Sequence, residues 1–324
     1  MVDVADIEAA AGRLNGVSVR TPLLQSFELD QVTRGKVLIK PECLQVTGSF
    51  KIRGAYNRLS QLTAQQARNG VVAWSSGNHA QGVAAAGAML DINTIIVMPA
   101  DAPKAKLANT RRLGGEVITY DRYTGDREAI ARKIAAERGA AIVPSYDHEH
   151  IIAGQGTIGL ELAEDATRLG LPPDQVLIPC GGGGLSSGCS VALKSRLPEV
   201  SVYAVEPVEF DDTARSFASG ERVRIDDSAR SICDALQTPM PGELTFAINR
   251  DLLSDVLTVS DDEVRSAMRF AFRNLKLVVE PGGAVALAAV LSGKLDTAGK
   301  TTAIVLSGGN VDVDLFAEIQ AEPK

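Results

Sequence analysis

Between residues 71 and 143 the chain alternates short apolar segments with longer helix-like segments. The strand-like segments are residues 71–74, 94–98, 116–119 and 141–143. The helix-like segments between them are residues 78–90, 103–113 and 126–138. Parallel strands need long crossover connections, which are usually helices, so repeated β-α units predict a parallel sheet with helices on its faces. This repetition constrains the chain to an α/β fold.

A second series of strand-like and helix-like segments runs to the end of the chain. It follows an early predicted strand at residues 36–40. Its predicted strands are residues 176–179, 202–205 and 302–306, and its predicted helices are residues 151–169, 261–275, 284–291 and 311–320. Residues 206–254 are less regular, and Val264, Met268, Ala271, Phe272 and Leu275 share one face of the helix at 261–275. The 324 residues suffice for two domains or for one large α/β unit.

Charge and composition argue against several classes of partner. The chain has 33 basic and 40 acidic residues, a net charge of −7, and no basic block, so nucleic acid and acidic membranes are poor candidates. No signal peptide or apolar stretch of about 20 residues is evident, so we expect no membrane association. The four cysteines are scattered, which predicts buried free thiols in the cytoplasm and no zinc site.

Residues 47–55 (Thr-Gly-Ser-Phe-Lys-Ile-Arg-Gly-Ala) lie between the strand at 36–40 and a helix-like segment. Ser49 is a candidate N-cap, which places Lys51 in the first helical turn. The partial positive charge there disfavours a cation and so favours the neutral amine that Schiff-base chemistry requires. This segment alone is also compatible with an ordinary surface lysine, which is the more common case.

A run of glycines lies between the predicted strand at 176–179 and a helix that ends at Leu197. Its sequence is Cys180 followed by Gly181, Gly182, Gly183, Gly184, Leu185, Ser186, Ser187 and Gly188. Backbone amides of glycines, together with a helix N-terminus, form a phosphate cradle. The run is neither GxGxxG nor GxxxxGK[ST], which argues against dinucleotides and nucleoside triphosphates.

Two other strand ends carry small polar residues, at positions 75–82 and 307–310. Free amides and hydroxyls near Ser75 and Ser76 suit a carboxylate, although Ser76 or Asn78 could equally be a plain N-cap and His79 a structural residue. Ser307 could likewise be a simple turn residue. Ligands in open α/β sheets bind beyond the carboxyl ends of the strands, so these two ends and the glycine run converge on one crevice if one continuous sheet carries them.

Glu206, Asp211 and Asp212 follow the predicted strand at 202–205. Carboxylates at this spacing in an irregular loop suit Mg²⁺ or Ca²⁺. Acidic loops are more often simply solvated, so the residues alone leave both possibilities open.

Together the motifs at residues 48–55, 75–82, 153–157, 181–185, 205–207 and 307–310 resemble those of the fold-type II pyridoxal-phosphate (PLP) enzymes, specifically the serine/threonine dehydratase and serine racemase group. The resemblance extends from Thr21 to Asp312. It implies a tryptophan-synthase-β-like fold of two parallel-sheet α/β domains with the cofactor in the cleft between them. The implied large domain comprises residues 1–45 and 146–324, and the small domain residues 46–145. A homodimer is also expected.

The resemblance implies a role for each matching residue. Lys51 forms the Schiff base with PLP and acts as the base at Cα, with Ser76 on the opposite face in racemases of the group. Asn78 bonds the 3′-oxygen of PLP. The remaining implied cofactor ligands are Phe50, Gly181, Gly182, Gly183, Gly184, Leu185 and Ser307, and the implied substrate-binding residues are Ser75, Ser76, Asn78, His79 and Thr238. Glu206, the carbonyl of Phe210 and Asp212 match a divalent-metal site of racemase-like members, which favours Mg²⁺ or Ca²⁺ over a solvated loop.

The implied reaction is α,β-elimination by a PLP-dependent carbon–oxygen lyase. A serine hydroxyl at the pyridine nitrogen, as implied for Ser307, makes PLP a moderate electron sink, which suits loss of a β-hydroxyl and disfavours transamination. Threonine, serine or a related 3-hydroxy amino acid would give a 2-oxo acid and ammonia. Racemisation, with Lys51 and Ser76 on opposite faces, is one alternative. Dehydration of 3-hydroxyaspartate or phenylserine is another, because Ala235 and residues 239–246 depart from the relatives' pattern.

Overall fold

The computed structural model of the protein describes residues 1–75, 77–102, 104–121, 124–226 and 228–322. Its strands form two separate sheets, so the expectation of two parallel-sheet units is confirmed and a single continuous sheet is wrong. The boundaries at residues 45/46 and 145/146 remain a prediction. Among the described residues, no helix is both long and apolar enough to cross a membrane.

The larger sheet has six strands in the order β1-β2-β10-β7-β8-β9. Only β1 runs antiparallel to its neighbour; the other pairs are parallel. The strands are β1 (Leu24–Gln25), β2 (Lys36–Pro41), β7 (Gln175–Pro179), β8 (Ser201–Pro207), β9 (Asp255–Val259) and β10 (Thr301–Leu306).

The smaller sheet has four parallel strands in the order β5-β4-β3-β6. They are β3 (Val71–Trp74), β4 (Thr94–Pro99), β5 (Gly115–Tyr120) and β6 (Ala141–Ile142). All four were predicted from the sequence, with their ends shifted by at most one residue.

Helices precede and connect the strands of both sheets. They are α1 (Val4–Leu14), α2 (Phe27–Thr33), α3 (Lys51–Leu59), α4 (Ala64–Asn69), α5 (Asn78–Leu90), α6 (Lys104–Arg112), α7 (Arg127–Arg138), α8 (Glu149–Arg168), α9 (Gly184–Arg196), α10 (Asp212–Ser219), α11 (Glu243–Leu252), α12 (Asp261–Phe270), α13 (Pro281–Leu291) and α14 (Val313–Ala321).

Successive residues of the central strands pack on opposite faces of the larger sheet, because strand side chains alternate. In β10, Ile304 and Leu306 belong to the core that contains α13, whereas Ala303 and Val305 belong to the core that contains α8 and α9. All four are at most 1% exposed. Burial on both faces explains why these strands are continuous apolar runs.

Two predictions about the second half of the chain hold only in part. The segment 206–254, predicted to be less regular, also contains the helices α10 and α11. The helix predicted over 261–275 is α-helical to Phe270 and continues as one π-helical turn, Ala271–Leu275. Val264, Met268 and Ala271 are buried on the predicted face. A π turn adds a residue and rotates the face that follows, and Phe272, within that turn, is 45% exposed.

A cluster of buried charges ties α3 to the larger sheet and to α8. Arg53 is 0% exposed and donates to both carboxylate oxygens of Glu42, at 2.8 Å each, and to Glu161 at 2.7 and 3.0 Å. Lys40, also fully buried, donates to Glu161 at 2.6 Å. Two cations face two carboxylates, so the group is neutral overall.

Candidate active site

The loop before α3 is conformationally strained. Thr47 and Gly48 both have positive φ, 64° and 71°. A β-branched residue rarely adopts this conformation, which costs on the order of 1–3 kcal/mol. Lys51 lies in the first turn of α3, as predicted, but the helix begins at Lys51 itself and its N-cap is Phe50, whose side chain does not cap it. The prediction of Ser49 as the N-cap was wrong: Ser49 has an extended backbone, and its buried hydroxyl has no hydrogen-bond partner among the described residues.

Lys51 is therefore the first residue of α3. Its Nζ donates to the carbonyl oxygen of Ser145 at 2.9 Å and lies 5.1 Å from the centroid of the Phe50 ring. The residue keeps some exposed surface, but its ammonium lies among protein atoms. This burial lowers the pKa of the ammonium to about 8, against the opposing effect of the Glu280 carboxylate. The predicted bias toward the neutral amine is present, and burial is its main cause.

Lys51, Ser307 and the glycine run follow the ends of three neighbouring strands, β2, β10 and β7. The backbone N–H of Phe50 donates to the Ser307 carbonyl at 3.2 Å, and Ser49 pairs with Gly308 as an isolated antiparallel bridge. Ser307 is 4% exposed. The register of β2 and β10, which pairs Pro41 with Leu306, brings these loops side by side.

The glycine run has the geometry of an anion cradle. Gly183 has φ of +90° and is the N-cap of α9, with no side chain capping the helix. In the part of the chain that the structure describes, the N–H groups of residues 181–185 have no acceptor. Free donors at a helix N-terminus suit a phosphate.

Packing also explains why most of these positions are glycine. A Cβ on Gly182 would lie 2.4 Å from the ring of Tyr146, and one on Gly183 would lie 2.9 Å from Thr245. The glycines therefore serve close packing as well as any ligand. Thr238, a predicted substrate-binding residue, lies next to the cradle: its Oγ1 would be 3.3 Å from a Cβ on Gly181.

The predicted carboxylate loop follows β3 of the smaller sheet. Ser75 accepts a hydrogen bond from the N–H of Gly77 at 3.2 Å, and Gly77, not Ser76 or Asn78, is the N-cap of α5. Ser76 itself lies outside the described residues. Asn78 is the first residue of α5, whose first amides are free to bind a carboxylate.

His79 is a buried, neutral residue. Its Nε2 lies 2.9 Å from the carbonyl oxygen of Val143, so Nε2 carries the hydrogen. Burial, helped by the charge of Lys51, lowers the pKa of the imidazole to about 3. The ring is thus already bonded to the protein, and its role in substrate binding remains a prediction.

The structure adds to the site three residues for which the sequence predicted no role. The Glu280 carboxylate accepts a hydrogen bond from Nδ2 of Asn78 at 2.5 Å, and Nδ2 of Asn310 donates to Oδ1 of Asn78 at 2.7 Å. Tyr146 packs on Gly182. A lone acidic residue directly before the entirely apolar start of α13 was the one available signal for Glu280.

Glu206 and Asp212 form a buried acidic pair. Glu206 accepts the N–H groups of Thr213 and Ala214, at 3.2 and 3.0 Å. Both carboxylate oxygens of Asp212 are buried, and neither has a hydrogen-bond partner among the described residues. Burial raises the pKa of Asp212 to about 8, and burial beside Asp212 raises that of Glu206 well above its usual value.

No group of three or more His, Cys, Asp or Glu side chains among the described residues is placed to hold a metal ion. The predicted set, however, has only two carboxylates, and its third ligand is the carbonyl of Phe210, the last residue of a short 3₁₀ helix. Orphaned, buried carboxylate oxygens are what a hard divalent cation would satisfy. The residues present therefore fit such an ion.

A family model and several known proteins are similar to this chain over most of its length. A family model described as pyridoxal-phosphate dependent enzyme matches residues 15–308. The chain is 46% identical over 314 residues to the L-threo-3-hydroxyaspartate ammonia-lyase of a Pseudomonas species, covering 97% of each. It is 41% identical to the serine racemase of Schizosaccharomyces pombe, over 98% of this chain and 97% of that protein.

A solved structure gives the same result for the fold. The crystal structure of a threonine deaminase from T.th. superposes with a TM-score of 0.90 at 43% identity, covering 96% of this chain and 99% of that one.

The low pKa of Lys51 predicts the pH dependence of its reaction with an aldehyde. Only the neutral amine reacts, and a folded-state pKa of about 8 makes it the major form above pH 8. We expect the rate at which the cofactor-free protein captures pyridoxal 5′-phosphate to rise with pH and to level off above about pH 8. Stopped-flow absorbance measures this rate. A rate that still rises steadily toward pH 10.5, as for an ordinary lysine, would contradict the assignment.

Proposed function

This chain belongs to the family of pyridoxal-phosphate dependent enzymes, and from that premise we propose that it is an ammonia-lyase. It converts a 3-hydroxy amino acid to a 2-oxo acid and ammonia by α,β-elimination. The observation that carries the proposal is the buried Lys51, whose amine has a lowered pKa and donates to the carbonyl oxygen of Ser145, the neighbour of the Tyr146 that packs on the glycine run.

The residues of the site fit PLP. The free amides of residues 181–185 would hold its phosphate, and Lys51 would hold it covalently. Phe50, Asn78 and Ser307 would border its ring. When bound, PLP supplies an electron sink that weakens the Cα–H bond of an amino acid. The serine at position 307, where a carboxylate would give a stronger sink, supports elimination over transamination.

Groups of the protein itself would then accept the proton and orient the substrate. Nζ of Lys51, with a pKa of about 8, is suited to accept the proton from Cα near neutral pH. The carbonyl oxygen of Ser145 holds Nζ at 2.9 Å and limits where the amine can move. The first amides of α5, together with Ser75, would orient the substrate carboxylate, while Thr238 and Tyr146 border the cradle on the substrate side.

The names of two relatives, both called L-threo-3-hydroxyaspartate ammonia-lyase, support 3-hydroxyaspartate as the first substrate to test.

A substrate panel tests the proposal. The PLP-loaded protein should release 2-oxo acid from L-threo-3-hydroxyaspartate, L-threonine or L-serine, with the highest kcat/KM for the first. Lys51→Ala should lose activity by about 10²–10⁴-fold or more, because the base at Cα is gone. Lys133→Ala, which changes an exposed lysine on α7, is the matched control and should match the wild type.

The panel can fail in two informative ways. Absence of 2-oxo acid from every 3-hydroxy amino acid would overturn the lyase. Faster formation of the opposite enantiomer than of 2-oxo acid would favour racemisation, the activity named for the Schizosaccharomyces pombe relative. In that case Ser76→Ala should abolish the D-isomer and leave elimination of the L-substrate.

We also propose that Glu206, Asp212 and the Phe210 carbonyl hold Mg²⁺ or Ca²⁺. The support is the pair of orphaned Asp212 oxygens in a buried acidic pair. The ion would neutralise this pair and stabilise the loop between β8 and α10.

Removal of the cation should lower thermal stability. We expect a chelator to lower Tm by on the order of 5 °C, and added Mg²⁺ or Ca²⁺ to restore it, because a bound ion stabilises the folded state by mass action. Asp212→Asn should make Tm insensitive to the chelator, whereas Glu209→Gln, an exposed acid in the same loop, should not. An unchanged Tm in the chelator-treated wild type would contradict the proposed metal site.

A homodimer is the proposed assembly. Leu44, Val278 and Val313 are 50%, 45% and 79% exposed. Gly309 lies against the backbone of Val278 and against Cys43, the neighbour of Leu44. Exposed apolar side chains suit contact with a second copy of the chain. Sedimentation velocity should then give twice the chain mass of 34.1 kDa; a monomer would contradict it.

We further place the protein in the cytoplasm. Its four cysteines are free, as predicted, although Cys43 is only half-buried. Unpaired thiols suit a reducing compartment. Cell fractionation tests this placement, and recovery in an oxidising compartment would contradict it.

A further inference from the structure

Glu280 is a buried carboxyl group for which the proposed reaction has no use. It is 3% exposed and is the N-cap residue of α13, but its side chain does not cap that helix. Instead its carboxylate accepts a hydrogen bond from Nδ2 of Asn78 at 2.5 Å. The proposed reaction does not explain why a carboxyl group is buried and bonded to a predicted cofactor ligand.

The position of this carboxyl group is tightly defined. Its backbone N–H donates to the carbonyl oxygen of Gly308 at 3.0 Å, next to Ser307. A Cβ on Gly308 would lie only 2.0 Å from Oε1 of Glu280, so the side chain packs directly on the Gly308 backbone. Glu280 therefore has little freedom to leave Asn78.

Asn310 bonds the same amide from the other side. Its Nδ2 donates to Oδ1 of Asn78 at 2.7 Å and to the carbonyl oxygen of Thr47 at 2.8 Å. An NH₂ group has two hydrogens, and these two bonds use both. The four segments that carry Thr47, Asn78, Glu280 and Asn310 are thus joined in one chain of hydrogen bonds.

These two contacts leave the Asn78 amide only one orientation. The atom that faces the NH₂ group of Asn310 must be an acceptor, hence oxygen. The atom that faces the carboxylate of Glu280 must be a donor, hence nitrogen. A flipped amide would place oxygen against the carboxylate and NH₂ against NH₂, leaving buried polar groups unsatisfied, which costs about 1–3 kcal/mol for each group.

One hydrogen of the Asn78 NH₂ group is left after the bond to Glu280. We propose that Glu280 and Asn310 are positioning residues that hold the Asn78 amide with this remaining N–H directed at the 3′-oxygen of bound PLP. The proposal rests on the proposed function, because it requires that cofactor. Without the two residues the amide could turn its oxygen toward the 3′-oxygen, and two acceptors would then face each other.

The charges around Glu280 do not disturb this arrangement. Burial, and then the charge of Asp234, raise the pKa of its carboxyl group to about 7, against the effects of Asn78, Lys106 and Lys51. Ionised or protonated, the carboxyl group keeps an oxygen that accepts from Nδ2. A glutamine at position 280 would keep one too.

The affinity for two cofactor forms tests the proposal. Full-length protein, resolved from its cofactor, is titrated with PLP and with 3-deoxypyridoxal 5′-phosphate, which lacks the 3′-oxygen. Glu280→Leu should weaken PLP binding by about tenfold, the effect of one misdirected buried hydrogen bond, and should change binding of the deoxy analogue by less than about twofold. Glu280→Gln should bind PLP like the wild type.

A double-mutant cycle tests whether Glu280 acts through Asn78. Asn78→Ala should weaken PLP binding as much as Glu280→Leu, and the double variant should be no weaker than Asn78→Ala alone, because both remove the same bond. Asn310→Ala, at a half-buried position, should reproduce the selective loss even if Glu280→Leu does not fold. Glu263→Gln, which alters the cap of α12, is the control and should leave both affinities unchanged.

Three results would overturn the proposal. They are normal PLP affinity in Glu280→Leu and Asn310→Ala, an equal loss for PLP and the deoxy analogue, or additive effects of the Asn78 and Glu280 substitutions. Failure of the wild type to bind PLP would instead remove the proposed function, so the two failures are distinguishable.

Discussion

A buried, neutral cluster of charges holds the first turn of α3 between the two sheets. Arg53 bonds Glu42, which directly follows β2, and Glu161 from α8, and Lys40 from β2 of the larger sheet completes the cluster. Removing one partner from such a group leaves an uncompensated buried charge and costs about 3–5 kcal/mol. Because residues two apart lie on nearly opposite sides of a helix, this anchor leaves Lys51 to face the crevice.

The site depends on a contrast between two buried cations, Arg53 and Lys51. Arg53 has two carboxylates within 3.0 Å, and its charge is held firmly. Among the described residues, Lys51 bonds only a carbonyl oxygen, at 2.9 Å, and burial is the larger effect, lowering the pKa of its amine to about 8. The same fold thus stabilises one cation for structure and destabilises another for chemistry.

The sequence predicted the parts of this site that depend on local pattern. The β-α alternation, the glycine run between β7 and α9 and the position of Lys51 in the first turn of α3 follow from periodicity and strand-to-helix junctions. The cap at Ser49 and the burial of Phe272 were wrong, because a strained loop and a π turn override local propensity. Glu280, Asn310 and Tyr146 are joined to the site across more than a hundred residues of sequence or by packing on glycine, and no local pattern encodes such contacts.

In the proposed function, Lys51 is the residue that holds PLP. Borohydride reduction of the PLP-loaded protein fixes the cofactor to its lysine, and peptide mapping by mass spectrometry identifies that residue. We expect a single labelled site, Lys51, and no label in Lys51→Ala. Label on another lysine, such as Lys40 or Lys106, or no label in the wild type, would contradict it.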